Sequence, residues 1–520
     1  MINIQRLPDD YKIICENKSG KTDAEVTFEL KDDRFDVFLT AKESQPEFVM
    51  LRWNYKTREN VKVLGDRWER SYADLTWKTL DGERFMPWYF LVSNGTKTVG
   101  CGVMVQPASF VSFEYDSSGV SAWFDVRCGS VGVQLNGRKL LIGSVVCRNY
   151  SNISSFEATK RFCGVMCPFP ILPSEPVYGG NNWYYAYGKS SAEEIYSDTM
   201  LQVKLSKGNA VKPFMVIDAG WSPNQPGGPW IPNEKFGDMK AVAEKIKSLG
   251  AKPGLWVRFL HNFEMEEKHP ECRLNHTNRF LDPSHPLVKE LIKSDIERIK
   301  GWGFELIKHD FSTVDMFGQY GFELNGTITT QKDWAFYDRT KTSAEIVLDF
   351  YRLIRETAGK DVLILGCNTI SHLSAGLVEI SRTGDDTSGR YWNRTRAIGV
   401  NTLAFRLPQN NTFYVVDADC VGIMPNGTIP WKLNLQWATL LSRSGTPLFV
   451  SCPNGILNEQ QIAELKECYS YAAKQTDVAV PLDWEYNNQP CLWDINGEIF
   501  EFDWIMDEYP DILSGPLPPC

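Results

Sequence analysis

The sequence predicts an α/β protein: a (β/α)8 TIM barrel preceded by an antiparallel β-sandwich, with a short β appendage at the carboxyl end. Three observations carry this prediction. Residues from about 24 to 164 alternate apolar and polar side chains with a period of two. After residue 176, short apolar runs alternate with amphipathic stretches. There are eight such runs, which is the number of strands in a barrel of this class.

The length of the chain calls for more than one domain. With 520 residues and 43% hydrophobic content, it is too long for a single compact core. We expect three parts: a sandwich over residues 1–170, a barrel over residues 176–475 and a small β segment over residues 476–520. The proline-rich passage 168–176 is the expected linker between the first two.

The sandwich strands follow from runs such as Val26, Phe28 and Leu30, each separated from the next run by a turn rich in Gly, Asp and Ser. No catalytic constellation is evident in this part. In the appendage, Asn496-Gly497 predicts a hairpin turn. The barrel strands are expected at residues 177–183, 213–218, 252–258, 305–310, 361–368, 378–383, 413–417 and 447–451.

Composition excludes several classes of partner. The net charge is −10 and no long run of Lys or Arg is present, so we expect no nucleic-acid partner. No apolar run reaches the roughly 18 residues of a membrane span, and the first residues lack the features of a signal peptide. We therefore expect a cytoplasmic protein with reduced cysteines. We expect no metal or other cofactor. The sequence leaves open whether the protein forms a homo-oligomer.

Charged residues follow several predicted strands, where a barrel places its active site. Asp218, Arg258, Asp310, Asp386 and Asp419 all occupy such positions. Charges are seldom buried unless they are paired or used. Glycoside hydrolysis also uses a pair of carboxylates at one face of the active site.

The run Lys308-His309-Asp310 can be interpreted from strand geometry. Alternation places Lys308 and Asp310 toward the mouth of the barrel and His309 behind. A nearby ammonium lowers the pKa of a carboxylate and keeps it ionised for attack on an anomeric carbon.

A second carboxylate must carry a proton to act as an acid. Asp385 and Asp386 are adjacent, near Arg382, and their like charges are expected to raise one of the two pKa values. The residue pattern alone does not say which of the two is the acid.

The sequence resembles the retaining α-galactosidases and α-N-acetylgalactosaminidases of glycoside hydrolase families 27 and 36. The resemblance spans residues 176–455, and the leading sandwich is similar to that of family 36. Five motifs carry it in the family order: Asp218-Ala-Gly-Trp221, Lys308-X-Asp310, Cys367-Asn368, Arg382-X-X-X-Asp386 and Asp417-Ala-Asp419.

This resemblance implies a nucleophile at Asp310 and an acid/base at Asp386. It also implies double displacement through a covalent glycosyl-enzyme on an oligosaccharide or glycoconjugate, without metal or nucleotide. The residues expected around the substrate are Asn182, Trp183, Asp218, Trp221, Arg258, Lys308, Cys367, Asn368, Arg382, Asp385 and Asp419.

The chain departs from the family pattern at two positions. Ala219 stands where many relatives carry a second Asp, and Arg258 stands where family 36 commonly has Glu. A site that loses a hydrogen-bonding partner changes its selectivity strongly. The leading expectation is an exo-acting hydrolase of terminal α-linked galactose-type sugars. The alternatives are an α-N-acetylgalactosaminidase, for which the small Ser371 leaves room, a transglycosidase, or a sugar-binding protein without activity.

Overall fold

The amino-terminal part of the protein consists of two antiparallel sheets. The computed structural model describes residues 4, 6–15, 22–56, 60–80, 85–324, 326–474 and 478–505. One sheet has the order β1-β4-β11-β10-β7 and the other β2-β3-β12-β9-β8-β5-β6. The strands are β1 (Asp10–Cys15), β2 (Glu25–Leu30), β3 (Phe35–Thr40), β4 (Pro46–Asn54), β5 (Lys62–Gly65), β6 (Lys78–Thr79), β7 (Phe85–Pro87), β8 (Tyr89–Ser93), β9 (Lys97–Val103), β10 (Phe110–Asp116), β11 (Gly119–Asp125) and β12 (Leu140–Ser151).

The core between these sheets follows the predicted alternation with two exceptions. Phe35, Val37 and Leu39 of β3 are fully buried. Leu30 is 65% exposed, because it ends the edge strand β2. Residues 155–164, expected to continue the sandwich, belong instead to helix α1 (Ser155–Met166). There the buried residues recur at helical spacing, and Ser154 caps the first turn by accepting from the Glu157 amide.

A parallel barrel follows, as predicted. Its strand order is β19-β18-β17-β16-β15-β14-β13-β21-β20. All eight predicted strands are present, the seventh in two pieces, β19 and β20. Only residues 418–420 separate these two pieces. The first and last strands in this order therefore belong to one chain segment, and the sheet closes on itself. The strands are β13 (Tyr178–Asn181), β14 (Phe214–Ile217), β15 (Lys252–Val257), β16 (Leu306–His309), β17 (Leu363–Gly366), β18 (Ile380–Arg382), β19 (Val415–Asp417), β20 (Val421–Gly422) and β21 (Leu448–Ser451).

Helices follow each of the eight barrel strands. Helix α4 shows why one forms: Asp238 caps it, Met239, Val242 and Ile246 are buried along one face, and Gly250 ends it at a φ of 108°. The helices are α2 (Trp183–Ala186), α3 (Ala192–Leu205), α4 (Met239–Leu249), α5 (Phe263–Lys268), α6 (Pro286–Trp302), α7 (Ser312–Phe317), α8 (Ser343–Ala358), α9 (Ser371–Ser374), α10 (Trp392–Arg394), a π-helical stretch (Thr395–Val400), α11 (Asn401–Arg406), α12 (Trp431–Arg443) and α13 (Glu459–Ala472).

A small antiparallel sheet ends the described chain. Its strands are β22 (Val480–Pro481), β23 (Leu492–Ile495) and β24 (Glu498–Glu501). Asn496 and Gly497 turn the hairpin with φ values of 56° and 84°, as the sequence predicted. Residues 476–477 and 506–520 of the predicted appendage lie outside the described residues. Within the described ranges, no helix has the length and apolar character needed to cross a membrane.

Candidate active site

The carboxyl ends of β14 and β16 bring Asp218 and Lys308 together. The Lys308 Nζ lies 2.8 Å from Asp218 Oδ2, and Asn181 Nδ2 donates to the same oxygen at 2.8 Å. Burial on its own lowers the pKa of Lys308, but Asp218, with smaller contributions from Cys367 and Asp310, outweighs it, and the pKa lies well above its usual value. A fixed cation therefore stands at the base of the site.

Asp310 follows Lys308 and His309 and is held by two donors. The Phe311 amide donates to Oδ1 at 2.6 Å, and the Trp256 indole donates to Oδ2 at 3.2 Å. His309 points the other way, and its ring contacts aromatic residues of α8. Burial lowers the pKa of His309 to about 3, so the ring is neutral at ordinary pH.

Asp386 lies between two guanidinium groups. Its Oδ1 is 2.6 Å from Arg382 and 3.7 Å from Arg70. Burial raises the pKa of Asp386, but Arg382, Arg70 and Lys308 together outweigh it and hold the pKa well below its ordinary range. The expectation of a raised pKa from the adjacent carboxylate was wrong for Asp386, because these cations dominate its surroundings.

The structure distinguishes Asp385 from Asp386. Asp385 places one oxygen 3.1 Å from Arg70 and the other 2.7 Å from Arg394. Its amide donates to the Ser71 carbonyl at 3.0 Å. Asp385 thus ties the loop after β18 to its surroundings, whereas Asp386 is paired with Arg382 at the strand end.

Asp419 supports the same loop from the break between β19 and β20. Its Oδ2 lies 2.8 Å from Arg382 and accepts from the Thr387 amide at 2.8 Å and from the Tyr184 hydroxyl. Asp419 has a φ of 78°, which turns its side chain out of the regular strand path. Asp419 therefore fixes both Arg382 and the segment that carries Asp386.

A segment of the sandwich, residues 66–71, completes this face of the barrel. The Ser71 amide donates to the Thr383 carbonyl at 2.9 Å, so the segment runs beside the loop after β18. Glu69, 1% exposed, accepts from Asn368 Nδ2 at 2.5 Å, and Arg70 reaches Asp385 and Asp386. None of these residues was predicted from the sequence. The one feature of the sequence that points to them is a cluster of charged residues directly after the short strand β5.

Two residues expected around the sugar do not face an open cavity. Trp221 is fully buried, donates to the Trp256 carbonyl at 2.8 Å and packs against Trp302. Asn182 is also buried: it accepts from the Asp218 amide at 2.7 Å and donates to Ser190 at 3.1 Å. Asn182 therefore stands behind Asp218, and Trp221 is part of the aromatic core.

The remaining expected residues lie at the rim or in its wall. Trp183 is half-buried against Tyr187. Arg258 binds Asp315 through Nε at 2.9 Å and stacks on Phe311 with 4.2 Å between guanidinium and ring centroid. Cys367 is buried, and burial raises the pKa of its thiol well above the usual value. Among the described residues, no group of three or more His, Cys, Asp or Glu side chains is arranged to hold a metal.

Comparison with known proteins identifies the fold. No protein-family model matches the sequence, and no curated protein matches it. The structure is similar to an α-galactosidase from Thermus thermophilus in complex with p-nitrophenyl α-D-galactopyranoside, with a TM-score of 0.64 at 14% identity over 92% of this chain and 99% of that one.

Two further solved structures are similar to this chain. One is the GH36 α-galactosidase AgaA from Geobacillus stearothermophilus, with a TM-score of 0.60 at 14% identity over 89% of this chain and 75% of that one. The other is an α-galactosidase from Lactobacillus brevis, with a TM-score of 0.56 at 12% identity over 92% of this chain and 72% of that one. The chain has the fold of the GH36 α-galactosidases.

Proposed function

We propose that the protein is a retaining exo-glycoside hydrolase acting on terminal α-linked galactose-type sugars. The observation that carries the proposal is the pair Asp310 and Asp386. One stands at the end of β16 and the other just after β18, and Lys308 acts electrostatically on both. Two carboxylates at one rim supply the nucleophile and the proton carrier that retaining hydrolysis requires.

In the proposed first step, a carboxylate oxygen of Asp310 forms a bond to the anomeric carbon as the bond to the leaving oxygen breaks. Hydrogen bonds from Phe311 and Trp256 orient this carboxylate. Asp386 gives its proton to the leaving oxygen. Asp218 and Lys308 offer an acceptor and donors for hydroxyl groups of the sugar that stays bound.

In the proposed second step, water attacks the anomeric carbon of the glycosyl-enzyme. Asp386 takes the proton from that water, and the bond to Asp310 breaks. Asp386 suits this step as it stands, because its low pKa leaves it ionised. The first step is the more demanding one, because it needs the protonated form of Asp386.

The proposal is tested by Asp310→Ala. We expect this variant to lose release of p-nitrophenol from every aryl α-glycoside that the wild type cleaves, by about a thousandfold or more, because the covalent step has no substitute. Asp361→Ala, which removes an exposed carboxylate just before β17, is the matched control and should keep full activity.

Trapping gives an independent check. A 2-fluoro-glycoside should label the wild type on the peptide that contains Asp310, as detected by mass spectrometry. An Asp310→Ala protein with unchanged turnover would remove the assignment.

A second candidate is a sugar-binding protein without hydrolysis. The observation that favours it is that Arg70 and Arg382 both pair with Asp386. These cations stabilise the ionised carboxylate and so disfavour proton donation at neutral pH. Calorimetry showing tight galactoside binding by a wild type that cleaves nothing would support this candidate, whereas a covalent adduct on Asp310 would exclude it.

A further inference from the structure

Two exposed aromatic rings lie on the loop that follows Asp310 and α7. Tyr320 is 39% exposed and Phe322 is 56% exposed. Their rings are almost parallel, with 6° between the planes and 5.7 Å between the centroids. Single exposed aromatics are common on protein surfaces, but two rings stacked in parallel form an apolar surface, and an exposed ring face suits the stacking of a ligand.

This loop is joined to the rim of the barrel through Glu69. Glu69, which accepts from the Gly321 amide, also accepts from Asn368 Nδ2 at 2.5 Å directly after β17. Burial raises the pKa of Tyr320, and the charges of Arg258, Arg70, Asp315 and Asp310 also act on it. Arg70 in turn pairs with Asp385 and Asp386. The segment that holds this loop therefore also reaches the rim that carries the proposed catalytic pair.

The loop is held by contacts with the sandwich. The Gly321 amide, between the two rings, donates to Glu69 Oε1 at 2.8 Å and to the Tyr72 hydroxyl at 3.2 Å. The Tyr72 ring meets Phe322 edge-on at 5.2 Å between centroids. A surface held in one geometry loses little conformational freedom on binding, which favours affinity.

We propose that Tyr320 and Phe322 form the binding surface for the leaving-group side of the substrate, namely the sugar ring directly beyond the cleaved bond. The apolar C–H face of a pyranose suits stacking on aromatic faces. The two cations whose charges act on Tyr320, Arg70 and Arg258, are both paired with carboxylates, so neither is free to bind an acidic ring, and a neutral sugar suits this surface. This inference rests on the proposed function.

The experiment compares two substrates that differ in the leaving group. α-Galactosyl fluoride has no ring beyond the cleaved bond, whereas raffinose has one. Tyr320→Ala and Phe322→Ala should each lower kcat/KM for raffinose by about tenfold and change kcat/KM for the fluoride by no more than roughly twofold. Tyr320→Phe, which keeps the ring, should behave as the wild type on both substrates.

Tyr337→Ala is the matched control. Tyr337 is 62% exposed, lies farther along the same chain segment and packs against His285 instead. It should leave both values of kcat/KM unchanged.

Three outcomes overturn the inference in distinguishable ways. Equal losses on both substrates would show that the rings support the fold of the loop. An unchanged kcat/KM for raffinose in Tyr320→Ala and Phe322→Ala would show that the rings bind nothing there, and the proposed function would stand. A wild type that hydrolyses neither substrate would remove the proposed function and this inference with it.

Discussion

The charge state of Asp386 is the residue-scale feature with the clearest consequence for activity. An acid with a lowered pKa is protonated in only a small fraction of molecules near neutral pH, and that fraction grows as the pH falls. Substrates with poor leaving groups need this proton, whereas a fluoride or nitrophenolate leaves without it. We therefore expect kcat/KM for raffinose to rise toward acid pH more steeply than kcat/KM for p-nitrophenyl α-galactoside.

Arg70→Gln tests the origin of that pKa. Removing one of the cations that lower the pKa of Asp386 raises it, so the protonated form persists to higher pH. We expect the decline of kcat/KM for raffinose with increasing pH to move to higher pH, as measured by a pH–rate profile. Arg67→Gln is the control, because Arg67 pairs with Asp74 at the same segment and should leave the profile in place. An unmoved profile in Arg70→Gln would contradict this account.

Residues within one strand could be predicted, but their partners from distant parts of the chain could not. The period of two places Lys308 and Asp310 on one side and His309 on the other, and the structure has them so. Arg70 and Glu69 reach the same site across about 300 residues of chain, as the Ser71–Thr383 contact at a separation of 312 shows. Local pattern carries no information on such a pairing.

At the scale of elements, the barrel strands were predictable because each is a short apolar run, buried on both sides and followed by a helix. Helix α1 was not predicted, because the sandwich pattern before it led us to extend a period of two past Ser151. The break between β19 and β20 was not predicted either. Asp417-Ala-Asp419 has the pattern of a strand end, and nothing in it indicates that a second strand piece follows.

Gly321, in the loop between α7 and α8, provides a prediction at the scale of elements. A Cβ at this position would lie 2.1 Å from Glu69 Oε1, so Gly321→Ala must displace either the loop or the buried Glu69 side chain. We expect a loss of about 1–3 kcal/mol in the free energy of unfolding, measured by urea denaturation.

Gly301→Ala is the matched control for that substitution. Gly301 lies in α6, and a Cβ there would meet no atom within 4 Å. This variant should gain about 0.5–1 kcal/mol, because alanine favours a helix over glycine. A Gly321→Ala protein as stable as the wild type would show that the loop is not held as described.

At the scale of the whole molecule, a buried ion pair joins the sandwich to the barrel. Arg406 of α11 lies 2.9 Å from Asp66, with side chains 0% and 2% exposed, and it also donates to the Glu69 carbonyl at 2.8 Å. Two parts that share such a contact are expected to unfold together. Calorimetry should then show one transition, and two separate transitions would contradict this coupling.

Arg406→Ala tests the pair directly. It leaves the Asp66 carboxylate buried without its cation, so we expect a loss of about 3–5 kcal/mol in the free energy of unfolding. Lys293→Ala removes an exposed ion pair with Glu290 and should cost less than about 1 kcal/mol. Similar losses in both variants, measured in urea, would contradict the importance assigned to the buried pair.

The contact of residues 66–71 with the loop after β18 limits how this protein could be recombined with its structural relatives. A chimera that joined this barrel to a foreign sandwich would lose Glu69, Arg70 and Ser71, and with them the cation beside Asp386 and the anchor of Gly321. Those six residues would have to be transplanted together with the barrel, although they are encoded more than a hundred codons upstream of its first strand.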